Sequence, residues 1–321
     1  MADIIDTQAG DASWTDTFYS LNRGNVNTEL QRLDANHFNV WLPLTGQVAP
    51  THIIDQLNQT SSPRVADVAT GNGVWLRSVA QHLRSDAELF GFDFDSVKFP
   101  DSTASSNIKF EQQDVLQKFP MELQGTFDLV HVRLLLIAMK ASDFETAKKN
   151  LFQLLKPGGW PVWDEVSALS FRSVPPSKAF EEFTRIEILQ SIKNGQDPRG
   201  PARLPEIFQK VGFQDCETKI WSSWAASESV QDAARVVSLG IVRPMMTAVV
   251  DNGGLENVQT IADVDRLHDT QLKNYRTGRE WDSIMLKSWG GDLQLLWGSK
   301  HVIIATRMKS VWTICLYLSG N

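Results

Sequence analysis

The sequence predicts an α/β protein built on a doubly wound, largely parallel sheet. Three observations carry that expectation. Short apolar segments alternate with helical ones from Arg64 to Trp221. A glycine turn, "DVATGNGVW" at 67–75, closes the first apolar segment and opens a helix. Acidic residues, Asp93 and Asp114 among them, stand at or near the ends of successive segments. Strands alternating with helices make parallel βαβ units, and such sheets bind ligands beyond the carboxyl ends of their strands.

Each element follows from its own residues. "RVADVA" (64–69) is an apolar strand that runs into the glycine turn, and "LRSVAQHL" (76–83) is the body of an amphipathic helix. "ELFGFD" (88–93), "IKFEQQDV" (108–115) and "FDLVHVR" (127–133) are the next three strands. In "SDFETAKKNLFQLLKPGG" (142–159) a helix is expected, with Ser142 and Glu145 as a capping box and "PGG" as the stop. Phe144, Ala147, Leu151, Leu154 and Leu155 give it an apolar face. "WPVWDEV" (160–166) is a fifth strand, expected to be bent or partly an edge because Pro161 cannot donate to a ladder. A helix over "SKAFEEFTRIEILQSIK", a short helix from "LPEIFQK", a stop at Gly212 and a strand ending at Trp221 complete this core.

The flanks break the alternation. "NTELQRLDANHFNVW" (27–41) places Leu30, Leu33, His37 and Trp41 on one helical face. Residues 222–292 are mainly helical, with breaks expected at Pro244 and Asn252-Gly253-Gly254. "LQLLW" and "HVIIAT" lie beyond them, as a hairpin or as rivals for one sheet position. The chain therefore divides into a helical N-terminal lid (1–60), a core (61–221), a helical cap (222–292) and a last strand or strands with a tail (293–321).

Composition narrows the classes. Hydrophobic residues at 42% and charged ones at 21% supply an ordinary globular core. A net charge of −7 disfavours a partner recognised by general basic character, such as nucleic acid. Two cysteines, Cys216 and Cys315, make neither a zinc framework nor a disulfide scaffold, so no metal is expected. The acidic start lacks the signature of a signal peptide, and no uninterrupted apolar run approaches the roughly 18 residues of a membrane span. A cytoplasmic protein without membrane partners is expected, and association into a homo-oligomer is left open.

The turn also discriminates among nucleotides. A dinucleotide fingerprint needs a third glycine, but Gly71-Asn72-Gly73 continues as Val74-Trp75-Leu76. A P-loop needs Gly-Lys-Ser/Thr, which is absent. Asp67 puts an acid inside an apolar strand, where it suits a cationic ligand better than a pyrophosphate. Asp93, twenty positions after Gly73, is placed to bind ribose hydroxyls, and Asp114 to accept from an adenine amino group. These acids favour S-adenosylmethionine.

The sequence resembles the class I S-adenosylmethionine-dependent methyltransferases, particularly the fungal group that modifies small molecules of secondary metabolism. The resemblance spans roughly residues 15 to 220. It rests on "RLDANH", "RVADVATGNGVWL", "GFDFD", "KFEQQDVLQKFP", "GTFDLVHVRLLL", "NLFQLLKPGGWPVWDE" and "FQKVGF", in the family's order. It implies a Rossmann-like, seven-stranded, mostly parallel sheet with added helical lid segments and S-adenosylmethionine as cofactor. It also assigns Asp67, Ala69, Gly71 and Gly73 to the methionine end, Asp93 and Phe94 to the ribose strand end, and Asp114 and Val115 to an adenine clamp. The end of the fourth strand, His131-Val132-Arg133, would face cofactor and substrate. Ala69 replaces the usual first glycine, at the expected cost of one methyl group.

The implied reaction moves a methyl group to an O, N or S atom of a small-molecule acceptor. His131 and His37 are the expected bases or polar lid contacts, and each also has a plain core reading. Tyr19 and Arg32 are expected to close over the cofactor's carboxylate. Glu165 either faces the pocket or caps the sheet, while Trp41, Trp160, Trp163, Trp221 and Trp224 suit a core. Two other readings stand beside this one: a methyltransferase-like regulator in a protein complex, and a repurposed fold with non-methyl chemistry.

Overall fold

The structure, a computed structural model, describes residues 19–21, 25–100, 107–277, 280–282 and 284–291. Asn25 caps the first helix, α1 (Val26–Ala35), by accepting from the Asn27 N–H. α1 passes without a break into a π-helical turn, Asn36–Trp41, and then α2 (Leu42–Thr45), which ends at Gly46 with φ +69°. α3 (Thr51–Gln59) leads to β1 (Arg64–Val68), α4 (Val74–Ala80), β2 (Glu88–Asp93), β3 (Ile108–Gln112) and β4 (Phe127–Arg133). α5 (Phe144–Gln153), β5 (Leu155–Val166), β6 (Arg172–Val174), α6 (Lys178–Lys193), α7 (Gly200–Lys210) and β7 (Gln214–Ser222) come next. α8 (Glu228–Asp251), α9 (Ile261–Arg276), β8 (Glu280–Asp282) and β9 (Ile284–Gly291) complete the described chain.

The main sheet has the order β3-β2-β1-β4-β5-β9-β7. Its first five strands pair in parallel, and β9 runs antiparallel between β5 and β7. The chain is thus an α/β protein with a Rossmann-like parallel sheet. The central strands are apolar on both faces because helices cover both. One face packs Phe90, Phe92, Phe127, Trp163 and Phe208 together, and the other packs Ile53, Leu57, Trp75, Leu89 and Val162. A separate core joins α6, α8 and α9 through Phe183, Ile186, Leu239, Val242 and Leu267. A smaller cluster, Val40 and Trp41 against Ala233 and Ala234, joins the π-helical turn to α8.

Several expectations change. The helix before β5 has no capping box: Asp143 is its N-cap without a side-chain bond, and Glu145 pairs with Lys148 instead. "PGG" does not stop that helix. α5 ends at Gln153, where the Gln153 and Leu154 carbonyls accept from the N–H groups of Gly125, Thr126 and Phe127. Lys156 to Gly159 already belong to β5, whose register slips between Phe127 and Leu129. Pro161 is interior to the sheet rather than at an edge. The ladder to β9 begins one residue later, at Val162 opposite Trp289.

Pro244 is no break either, for α8 runs through it with the proline buried in the helical core. Packing there outweighs the roughly 3 kcal/mol that an interior proline costs. By length and mean hydropathy α8 could cross a membrane, although charged residues interrupt it, and 56% of its apolar window is buried inside this fold. β9 (Ile284–Gly291) lies within the segment expected to be mainly helical, and the strand or strands expected over 293–321 lie outside the described residues. The expected pair "LQLLW" and "HVIIAT" lies outside the described residues, as does Cys315.

Glu187 on α6 is buried, its Oε2 has no partner, and burial pushes its carboxyl up to about 8 from 4.5. The folded state therefore favours the protonated form. The stability this contributes is complete below the unfolded value of 4.5 and is lost as pH rises through 8. Urea unfolding at pH 5.5 and pH 9 is expected to show a loss on the order of a few kcal/mol in the wild type. Glu187→Gln is expected to flatten that slope; equal slopes in the two proteins would remove the assignment.

Candidate active site

The turn after β1 is built by left-handed backbone at alternate residues. Ala69 has φ +61°, Gly71 +58° and Gly73 +71°. Glycine adopts this region freely, whereas at Ala69 it costs about 1–2 kcal/mol, more than the steric cost of a methyl. Hydrogen bonds hold the strained turn. Thr70 N–H donates to the Phe92 carbonyl at 3.0 Å, Gly71 N–H to Asp93 Oδ2 at 2.8 Å, and Gly73 N–H to the Thr70 carbonyl at 2.9 Å. Asn72 and Arg77 both reach Asp34 on α1, which ties the turn to the N-terminal helix.

Beyond the turn lies a cavity of about 430 Å³ over the carboxyl ends of β1, β2 and β4. Tyr19, Arg32, Ala69, Gly71, Asp93, Phe94, Asp114 and Val115 all line it, so the structure brings together eight of the residues singled out from sequence. Asp93 is nearly buried, and its two oxygens accept from Gly71 N–H and Asp95 N–H. Burial raises its pKa above the usual carboxylate value, an effect opposed by Lys98 and these hydrogen bonds. Each oxygen keeps a further lone pair for a ligand hydroxyl. Asp114 Oδ1 accepts from Leu116 N–H at 2.9 Å, fixing the loop that presents Val115 and Leu116. Arg32 is gripped by both oxygens of Glu29 at 2.7 Å, and the half-buried Tyr19 beside it has a raised pKa, chiefly from desolvation.

Asp67, Gly73, His131 and His37 do not line the cavity. Asp67 and His131 face each other across β1 and β4, with Asp67 Oδ1 2.7 Å from His131 Nδ1. Asp67 Oδ2 accepts from Thr70 Oγ1 at 2.6 Å, and His131 Nε2 lies 3.4 Å from Asp164. Trp75 stacks flat on the imidazole at 3.8 Å. His131 is wholly buried behind the wall, with both nitrogens facing carboxylates, so this geometry gives it a supporting place rather than contact with a ligand. Gly73 supports too: a Cβ there would lie 2.4 Å from the Phe110 ring.

His37 occupies the π-helical turn. Its Nδ1 accepts from Arg133 Nη1 at 3.0 Å, while its Nε2 is buried without a partner. Burial, then the Arg133 charge, pushes its pKa down to about 3. The ring is neutral at physiological pH and a poor proton acceptor. Glu165 sits below the cavity rim, where its Oε1 accepts from Leu136 N–H and Trp163 Nε1 and burial raises its pKa to about 7. It anchors the loop in which Leu134 adopts φ +57°.

Arg133, at the strand end that the resemblance turned toward cofactor and substrate, lines the wall; so do Glu29, Asn36, Lys98, Leu134 and Met139, which the sequence motifs did not single out for it. Glu29 and Asn36 could have been found from Arg32, since residues 29, 32, 33 and 36 share one helical face. Among the described residues no cluster of His, Cys, Asp and Glu could hold a metal ion.

The methyltransferase domain family matches residues 65–159, from β1 to the opening of β5. A methyltransferase of a Penicillium species, grgD, is 35% identical over 59% of this chain and 70% of its own length. The N-methyltransferase tcpN of Claviceps purpurea is 27% identical over 53% of this chain and 62% of its own. A secondary metabolism regulator of Gibberella fujikuroi, LAE1, is 23% identical over 56% and 60% of the two chains. Given the parallel sheet, the glycine turn with Asp93 at its side, and these relatives, the chain belongs to the class I methyltransferases that use S-adenosylmethionine as cofactor.

Proposed function

We propose that this enzyme methylates an O, N or S atom of a small molecule of secondary metabolism. The observation that carries this reading is the cavity itself. It is a recess roofed by α1 that combines one ribose-binding acid with apolar walls from Val115, Leu116, Ala138 and Met139. Such a chamber suits a nucleoside and a small acceptor better than a protein chain. The relative tcpN, named an N-methyltransferase, supports nitrogen among the acceptor atoms.

The wall residues fit S-adenosylmethionine. Asp93 takes the ribose hydroxyls, Asp114 with Val115 and Leu116 holds the adenine, and the Ala69–Gly71 backbone meets the methionyl part. Tyr19 and Arg32 stand ready for its carboxylate. The cofactor supplies a methyl carbon bound to a positively charged sulfur. The protein's part is alignment and exclusion of water, and orientation alone can supply roughly 7–11 kcal/mol. α1, the π-helical turn and α8 form the lid, joined where Val40 and Trp41 pack on Ala233 and Ala234. No histidine serves as general base in this scheme. His131 is enclosed in the sheet and His37 is too weakly basic, so the acceptor arrives with its lone pair free.

Asp93→Ala is expected to weaken S-adenosylmethionine binding by about 1–3 kcal/mol through loss of charge-assisted hydrogen bonds. Wild-type affinity should also fall as the medium is acidified through the raised pKa of Asp93, a dependence the variant lacks. Calorimetry showing equal affinities would refute the ribose role. For the acceptor, the enzyme is incubated with labelled cofactor and a whole fungal extract. Label is expected in the small-molecule fraction. Label confined to protein would instead favour the regulator reading that the similarity to LAE1 keeps in view.

A further inference from the structure

The cavity wall carries a cation that no carboxylate touches among the described residues. Arg32 is neutralised by Glu29, and Lys98 lies 3.9 Å from Asp95. Arg133 differs: among the described residues no carboxylate comes within 4.0 Å of its guanidinium. The nearest acids that influence it, Asp164 and Asp67, both contact His131 instead. Its own contacts are uncharged. Nη1 donates to His37 Nδ1, and the guanidinium lies 5.4 Å from the centre of the Trp41 ring. Burial disfavours its charge, yet an arginine does not surrender its proton inside a protein. Arg133 lines the cavity, and a partly dehydrated guanidinium without an ion-pair contact favours an anion within its reach.

Its place in the sheet says which anion. Passing along the strand ends from β3 to β2, β1 and β4, the wall presents Asp114, Asp93, Ala69 with Gly71, and then Arg133. Base, ribose and methionyl part occupy the first three positions in turn. On the reading proposed above, Arg133 stands one strand beyond the methionyl part, next to the space left for the acceptor. The partner on its other flank is equally telling. A carboxylate at position 37 would quench the charge, whereas a neutral imidazole accepts one N–H and leaves the charge intact. With Nδ1 accepting, the proton of the neutral ring sits on Nε2, so His37 cannot itself supply negative charge.

We propose that Arg133 determines specificity by pairing with an anionic oxygen of the methyl acceptor, so that the acceptor is an acid, and that His37 is its positioning residue. This rests on the small-molecule reading above. Arg133 aims two or more N–H groups at a carboxylate or a similarly ionised oxygen, and that contact fixes the acceptor's nucleophilic atom relative to the cofactor.

The test uses the full chain loaded with S-adenosylhomocysteine and a matched pair of probes, cinnamate and cinnamamide, alike in shape and different in charge. The loaded wild type is expected to bind cinnamate at least about tenfold more tightly than the amide, the effect of one charge-assisted contact. Arg133→Gln should erase that preference while keeping S-adenosylhomocysteine affinity within about twofold, and Arg133→Lys should keep part of the preference. His37→Phe should weaken cinnamate binding, and His37→Asn, which offers an acceptor oxygen in place of Nδ1, should restore it. A merely structural histidine would show no such rescue. Equal binding of the two probes, or no cinnamate binding, overturns the proposal without recourse to any variant. So does a loss of S-adenosylhomocysteine affinity above about tenfold in Arg133→Gln, which would give Arg133 to the cofactor's own carboxylate. Failure of the wild type to bind S-adenosylhomocysteine is a different result, read before any probe is added, and it brings down the cofactor site together with this inference.

Discussion

The 2.7 Å contact between Asp67 and His131 is the constraint on which the site depends. Parallel pairing of β1 with β4 sets these two residues side by side in a largely apolar part of the sheet. Neither polar group could stay there alone, since an unpaired buried charge costs about 3–5 kcal/mol. Together they satisfy each other, Trp75 covers the imidazole, and Asp164 closes its far side. Asp67 has one oxygen left, and Thr70 takes it. That bond reaches three residues along the chain and bends it into the turn. The sheet interior thus dictates the geometry of the cavity floor without touching what the cavity holds.

The turn in its strained form then recruits Asp93. Ala69, Gly71 and Gly73 place three left-handed residues in five, and such backbone persists only when its surroundings over-determine it. The Phe92 carbonyl and the Asp93 carboxylate supply those restraints from the neighbouring strand. Asp93 consequently serves two ends. It braces Gly71 from one lone pair and offers its remaining ones to the cavity. Its raised pKa records the cost of burying it there, moderated by Lys98 and two backbone N–H groups.

The central strands were legible because a strand covered on both faces is an apolar run with little else to mimic. β1, β2 and β4 are bounded in the structure within one residue of where the apolar segments end. β9 was not legible: "IMLKSWGG" has neither a clean alternation nor an apolar run, and it becomes a strand because β5 and β7 leave a slot for it. Local rules failed where tertiary contacts overrode them, as at Pro244 in the helical core and at the α5 terminus closed by Gly125 to Phe127. In the site, chemistry was easier to read than depth. Asp67 and Asp93 look alike in sequence, but one is a strand residue paired across the sheet and the other stands at a strand mouth. His131 and Arg133 divide in the same way, and only the later of the two reaches the cavity.

Depth also explains the π-helical turn. Residues 29, 32, 33 and 36 of the N-terminal helix all line the cavity, a stripe that α-helical spacing would carry on to residue 40. The wider turn at Asn36–Trp41, closed by Leu42 N–H donating to the His37 carbonyl, redirects the side chains at its C-terminal end. Asn36 still faces the cavity, while His37 and Trp41 meet the Arg133 guanidinium from two sides and Val40 packs on α8. A regular helix would spread these four side chains over fewer neighbours. π-helical turns carry a cost in hydrogen-bond geometry and cluster at functional sites for that reason. Here the irregularity lets one short segment contact the cavity, the arginine at the end of β4, and α8. Val40 and Trp41 thus link α8 to the charged end of the cavity through direct packing.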